Sequence, residues 1–209
     1  SLKQTSSLAE KIRKSAPTLD VVILNAGTFQ KGGFLSADGF ELDFAVNYLS
    51  QLFLTHLLLS QSCLAPNARV IFVSSSAYIN GKLDMDSFGK QYLNDPMMAY
   101  ATSKQLCLMA ALELARRLSR TNICINACNP GPTHTRLLAA GKEYGWRNSG
   151  GPPIKAARRL EWLALSPLLK TASGHYFNGK KAPHVPQRIR NEIVTAAVYE
   201  TSVRLCEIE

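Results

Sequence analysis

Tyr100 and Lys104 stand four residues apart in Tyr100-Ala101-Thr102-Ser103-Lys104, at the start of a strongly helical run. An i,i+4 pair shares one helix face. An ammonium beside a phenol favours the phenolate and lowers a pKa that is ordinarily about 10. A tyrosine tuned in this way can give and take a proton near neutral pH. The pair alone is common by chance. Its weight comes from four further segments in chain order: Asn25-Ala26-Gly27, Asn47, Ser74-Ser75-Ser76, and Pro130-Gly131 with Thr135. Small residues at 26 and 27 let a ligand approach the backbone closely. A serine hydroxyl can hold a developing oxyanion by hydrogen bonding.

These residues need elements to bring them together. Ser7 to Lys14 reads as a short amphipathic helix that Pro17 stops. Val21-Val22-Ile23-Leu24 and Arg69-Val70-Ile71-Phe72-Val73 are continuous apolar runs, as expected of buried parallel strands. A third strand is expected over 123–127 and a short last one over 174–177. Helices are expected over 40–64, with Pro66-Asn67 ending the first, and over 100–118, 154–165 and 192–206. Residues 80–98 read as a loop. The glycines and prolines of 132–153 mark a mobile loop. Strands alternating with helices of this length indicate βαβ units, hence an α/β fold with a parallel sheet. In such a sheet ligands bind beyond the carboxyl ends of the strands. Those ends carry Asn25-Ala26-Gly27, the serine triplet and Pro130-Gly131, and the helix after the serines presents Tyr100 and Lys104.

This ordered set resembles the short-chain dehydrogenase/reductase family, and the likeness runs from about residue 1 to 179. Asn25-Ala26-Gly27 resembles the family's N-A-G, Val46-Asn47 its helix asparagine, and Pro130-Gly131 with Thr135 its P-G-x-x-x-T segment. Ser75, Tyr100 and Lys104 match the catalytic serine, tyrosine and lysine. Ser74 and Ser76 compete with Ser75, but the family uses the second of two serines after the strand. Within the family, Leu24-Asn25-Ala26-Gly27-Thr28-Phe29, Gly81-Lys82-Leu83-Asp84 and Gly174-His175-Tyr176-Phe177-Asn178 resemble the retinol-dehydrogenase-like members, the WW-domain-containing oxidoreductases especially.

The resemblance implies a Rossmann-like, doubly wound parallel sheet and the interconversion of an alcohol and a carbonyl with NAD or NADP. It casts Tyr100 as proton carrier and Ser75 as support for the substrate oxygen. Lys104 would tune the tyrosine and bond the nicotinamide ribose, and Asn47 would position a water that relays protons. Asn25, Ala26, Gly27, Pro130, Gly131 and Thr135 would line the cofactor with Tyr100 and Lys104. It also implies a homodimer paired through the helices that start near Phe40 and Tyr100. Leu137, Leu138, Tyr144 and Trp146 in the expected loop would suit a lipophilic substrate, a retinoid or a steroid.

The family's cofactor segment, T-G-x-x-x-G-x-G after a first strand, is not found in these residues. By resemblance residue 1, a serine, falls near the end of a third strand. The expectation is one N-terminally incomplete domain over residues 1–209, with exposed apolar sheet edges, weak cofactor binding and little turnover. A non-catalytic scaffold derived from this fold is the alternative. The glycine segment's absence favours that alternative, and the intact Ser75, Tyr100 and Lys104 set speaks against it.

Composition bounds the rest. The 209 residues are 46% hydrophobic, enough for one core, and the net charge is +9. Residues 141–209 hold eleven Lys/Arg against six Asp/Glu, without a compact basic cluster of interleaved aromatics. That argues against nucleic acid, whereas the charge could attract a phosphorylated cofactor or an anionic membrane surface. Five scattered cysteines without zinc-ligand company read as buried thiols of a cytoplasmic protein. His56 reads as a packing residue, and His134, His175 and His184 as loop or surface residues. No uninterrupted apolar run reaches the roughly 18 residues of a membrane span.

Overall fold

Four strands form one parallel sheet in the order β1 (Leu19–Leu24), β2 (Leu64–Val73), β3 (Cys124–Asn129), β4 (Tyr176–Asn178). The computed structural model describes residues 1–16, 18–90 and 92–207, so the expected helix stop at Pro17 lies outside the described residues. The strand register aligns Val22 with Val70 and Val70 with Ile125. Side chains alternate between faces along a strand. Val70, Phe72 and Ile125 therefore join one core, while Ile71, Val73 and Cys128 join another. Both faces are covered, which is why the strands read as continuous apolar runs.

The first face packs on α2 (Leu42–Ser60) and α3 (Pro96–Arg117), and α7 (Glu192–Leu205) lies against α3. The helix α1 (Leu2–Ser15) lies on α2. It is longer than its sequence pattern indicates because Ser1 and Gln4 form a capping box at its start. Along Ala99–Ala115 only Leu112 of α3 is more than slightly exposed. Two helices lie before and over the second face: α4 (Arg136–Glu143) and α5 (Pro153–Leu165), the latter seating Leu160 and Leu163 on Ile71 and Val73. A last short helix, α6 (Gln187–Arg190), precedes α7.

Three expectations change. Pro66 does not end a helix but lies within β2. The register jumps from Leu19 opposite Leu64 to Val21 opposite Arg69, so Pro66 and Asn67 bulge out where proline needs no ladder partner. Residues 132–153 are not all loop, because Thr135 caps α4 by accepting from Leu138 N at 3.2 Å. And β1 is an edge strand, with Ile23 39% exposed. The apolar composition of α2 matches a membrane span in length and mean hydropathy, and its burial against α1, α3 and β2 gives the reason for it.

Candidate functional site

A cavity of about 760 Å³ opens at the carboxyl ends of the strands. Of the residues singled out in the sequence, it gathers Asn25, Gly27, Ser75, Tyr100, Lys104, Pro130, Gly131 and Thr135 on its lining. Ala26 and Asn47 lie behind that lining and brace it.

Helix α3 starts one turn before Tyr100. Asp95 caps it by accepting from Met98 N at 3.1 Å, and Pro96 occupies the first position, where no N–H is needed. Tyr100 and Lys104 are both buried. The three serines separate in role. Ser74 Oγ donates to Lys104 O at 2.7 Å and is structural. Ser76 opens a 3-10 turn over Ser76–Asn80. Ser75 Oγ accepts from Ala77 N at 3.2 Å and shares the cavity lining with Tyr100.

The electrostatics differ from the sequence expectation. Burial pushes the Tyr100 phenol up from its ordinary value, the Ser75 hydroxyl opposes this, and the Asp43 and Cys107 charges add to the rise. Lys104 does not offset the burial. Its Nζ donates to Val73 O at 3.0 Å and lies 5.8 Å from the centroid of the Tyr100 ring, and burial pushes its own pKa down. The phenol is thus held protonated, the form that can donate to a carbonyl oxygen.

Asn47 sits in a buried π-helical turn, Ala45–Leu49, inside α2. Such turns are often found at functional sites. Its side chain is committed to protein groups: Oδ1 accepts from Thr28 N at 2.7 Å, and Nδ2 donates to Thr28 O at 2.9 Å and Ser103 Oγ at 3.0 Å. Its main-chain oxygen accepts from Cys107 Sγ at 2.7 Å. Asn47 therefore fixes the segment after β1.

Gly27 stands close to Lys104 and Asn47. A Cβ there would lie 3.4 Å from both Lys104 Nζ and Asn47 Oδ1. Gly131 takes φ +81°, and a Cβ would fall 2.1 Å from the Arg159 guanidinium, which also donates to Pro130 O. Thr135 doubles as the α4 cap, so it is a structural residue on the cavity wall.

An aromatic wall closes the outer side. The Phe29 ring centroid lies 5.6 Å from Tyr100, 5.5 Å from Tyr144 and 5.1 Å from Trp146, and Trp146 lies 5.1 Å from Tyr100. Trp146 Nε1 donates to Met97 Sδ at 3.0 Å and Tyr144 OH to Lys31 O at 3.2 Å. The Lys31–Glu143 ion pair at 2.6 Å ties the same two segments. Ser103, Arg159 and Met97 were not singled out in the sequence, because each acts through a partner far along the chain. No group of three or more potential metal ligands occurs among the described residues, and all five cysteines are buried and free.

Comparisons with known proteins agree with this arrangement. The family model described as short chain dehydrogenase matches residues 1–144. The chain is 31% identical to Retinol dehydrogenase 13 of Mus musculus and 32% identical to that of Homo sapiens. These alignments cover 98% and 100% of the chain, and the chain spans only 65% and 67% of those relatives. A solved protein from Mycobacterium paratuberculosis superposes with TM-score 0.77 at 26% identity, over 100% of this chain and 74% of that one. A short chain dehydrogenase from Burkholderia cenocepacia, solved in complex with NADP, shares the fold with TM-score 0.63 at 19% identity, over 85% of this chain and 71% of that one. The strand-end cavity, its tyrosine and lysine, and the match over residues 1–144 lead to one conclusion: this chain belongs to the short-chain dehydrogenase family.

Proposed function

We propose that the protein interconverts an alcohol and a carbonyl with NAD or NADP as cofactor. The observation that carries this reading is that Ser75, Tyr100 and Lys104 line one cavity at the strand ends. Tyr100, protonated by burial, gives its proton to the carbonyl oxygen of the substrate. Ser75 donates a hydrogen bond to the same oxygen as charge develops on it. Lys104 steadies the site with its ammonium, and Asn47 and Gly27 keep the segment after β1 close to it.

The cavity fits the nicotinamide end of such a cofactor. Gly27 and Gly131 lie on its lining, and Asn25, Pro130 and Thr135 add polar and main-chain groups. When bound, the cofactor supplies or takes up the hydride. A lipophilic substrate, a retinoid or a steroid, suits the lining residues Leu137, Leu138 and Trp146. It also accords with the names of the retinol dehydrogenase relatives. A cytoplasmic site of action, with the basic face towards a membrane surface, goes with this reading.

A second reading, a non-catalytic scaffold, draws on one observation: the glycine-rich cofactor segment does not occur in these residues. Tyr100→Phe separates the two. For an enzyme, turnover of a carbonyl substrate with NADPH or NADH in the intact native polypeptide falls by about 10²–10⁴-fold. Equal rates for the variant and the parent would sink the catalytic reading.

A further inference from the structure

Helix α2 carries Asp43, Asn47 and Gln51 at four-residue spacing, and all three are buried. Each bonds the main chain of the segment after β1, at every second residue. Gln51 Nε2 donates to Ala26 O at 2.5 Å, and Asn47 bonds both N and O of Thr28. Asp43 Oδ1 accepts from Gln30 N at 3.1 Å. Four helical residues rise about 6 Å and two extended residues about 6.7 Å, so the two periods keep step over three rungs. A face of α2 thus serves segment 26–30 as a neighbouring strand would.

That segment touches the chemistry. Gly27 closes on Lys104 Nζ, and Phe29 sets its ring against Tyr100. The ladder is also destabilising at its ends. Asp43 Oδ2 and Gln51 Oε1 have no hydrogen-bond partner among the described residues. Buried unpaired acceptors weaken a fold, and apolar side chains at 43 and 51 would avoid this. The two side chains are kept for the bonds they give the main chain at Gln30 and Ala26, which apolar residues would not make.

We propose that Asp43 is a positioning residue for Tyr100 and Lys104: by holding Gln30 it keeps Phe29 and Gly27 packed against them. The proposal rests on the reading of Tyr100 and Lys104 as the catalytic pair.

Two substitutions and two readouts test it in the intact native polypeptide. Asp43→Ala removes the rung, and Asp43→Asn keeps the acceptor oxygen without the acid. Amide exchange at Gln30 N–H, followed by NMR, reads the rung directly. Turnover with NADPH or NADH reads the consequence. In Asp43→Ala, exchange at Gln30 speeds by at least about 10-fold and kcat falls by at least about 10-fold, with KM held within about 3-fold. Asp43→Asn returns both to within about 3-fold of the parent. Unchanged exchange at Gln30 in Asp43→Ala overturns the proposal. So does an Asp43→Asn protein that protects Gln30 yet loses kcat, because the acid itself would then be what matters. If Asp43→Ala does not fold, the Asp43→Asn arm decides alone by the same two criteria. Tyr100→Phe runs in parallel: turnover that survives it removes the catalytic reading, while the exchange data still show whether Asp43 holds the segment.

Discussion

At the scale of single residues, the site is governed by burial more than by charge pairing. Tyr100 and Lys104 share a helix face as their spacing requires, yet desolvation pushes the phenol up and the ammonium down. Asp43 shows the same effect in a form that can be measured. Burial, then the neighbouring Glu41 charge, raise its carboxyl from 3.8 to about 8, while the Gln30 N–H and Lys104 pull it down. The folded protein therefore keeps a proton that the unfolded chain releases above about pH 4. The stability this group contributes is fully present below that pH and is lost as pH rises towards about 8. Asp43→Asn does not titrate. In urea denaturation, the parent's midpoint should fall relative to that of Asp43→Asn between about pH 5 and 8, and the gap should stay constant above. Parallel curves over the whole range would mean that the carboxyl is not desolvated.

At the scale of elements, α4 and the turn after it set the outer wall of the cavity. Gly141 is buried inside α4, and a Cβ there would fall 2.2 Å from the Trp146 ring. Gly141→Ala should therefore push Trp146 off Tyr100. Trp162→Phe leaves Trp146 as the single tryptophan, and its emission should shift to the red when Gly141→Ala is added. Stability should change by no more than about 1 kcal/mol, since alanine favours a helix interior. An unchanged spectrum would mean that the wall yields elsewhere. This element was not legible in the sequence, where glycines and prolines over 132–153 indicate a loop. The Thr135 cap and the Gly141–Trp146 contact override that composition. The helix α2 was legible, but its π-helical turn and its polar ladder were not. Both depend on main-chain partners 13 to 25 residues away. Strand ends and the Tyr100–Lys104 pair were readable because their spacing is local. Pro66 misled because a bulge in β2 excuses a proline that would break a regular strand.

At the scale of the whole molecule, the sheet has one well-covered end and one open one. The β1 edge pairs only with β2 among the described residues. Ile23 on β1, and Leu165 and Leu168 at and beyond the end of α5, are 39%, 67% and 85% exposed. Exposed apolar edges of this kind invite pairing or association. Cofactor binding divides in the same way. On the proposed reading, the cavity residues described above would meet the nicotinamide end of a dinucleotide. A pyrophosphate is ordinarily held by glycine-loop N–H groups at a helix N-terminus, and those groups carry much of the affinity. No T-G-x-x-x-G-x-G segment occurs in the 209 residues. The 209-residue polypeptide titrated with NADPH in a calorimeter should therefore show no saturable binding below about 1 mM, a limit of about −4 kcal/mol. Saturation near 1 µM, about −8 kcal/mol, would overturn this division of labour. It would mean that groups already on the cavity wall, with Arg136 foremost among them, take the place of the glycine loop.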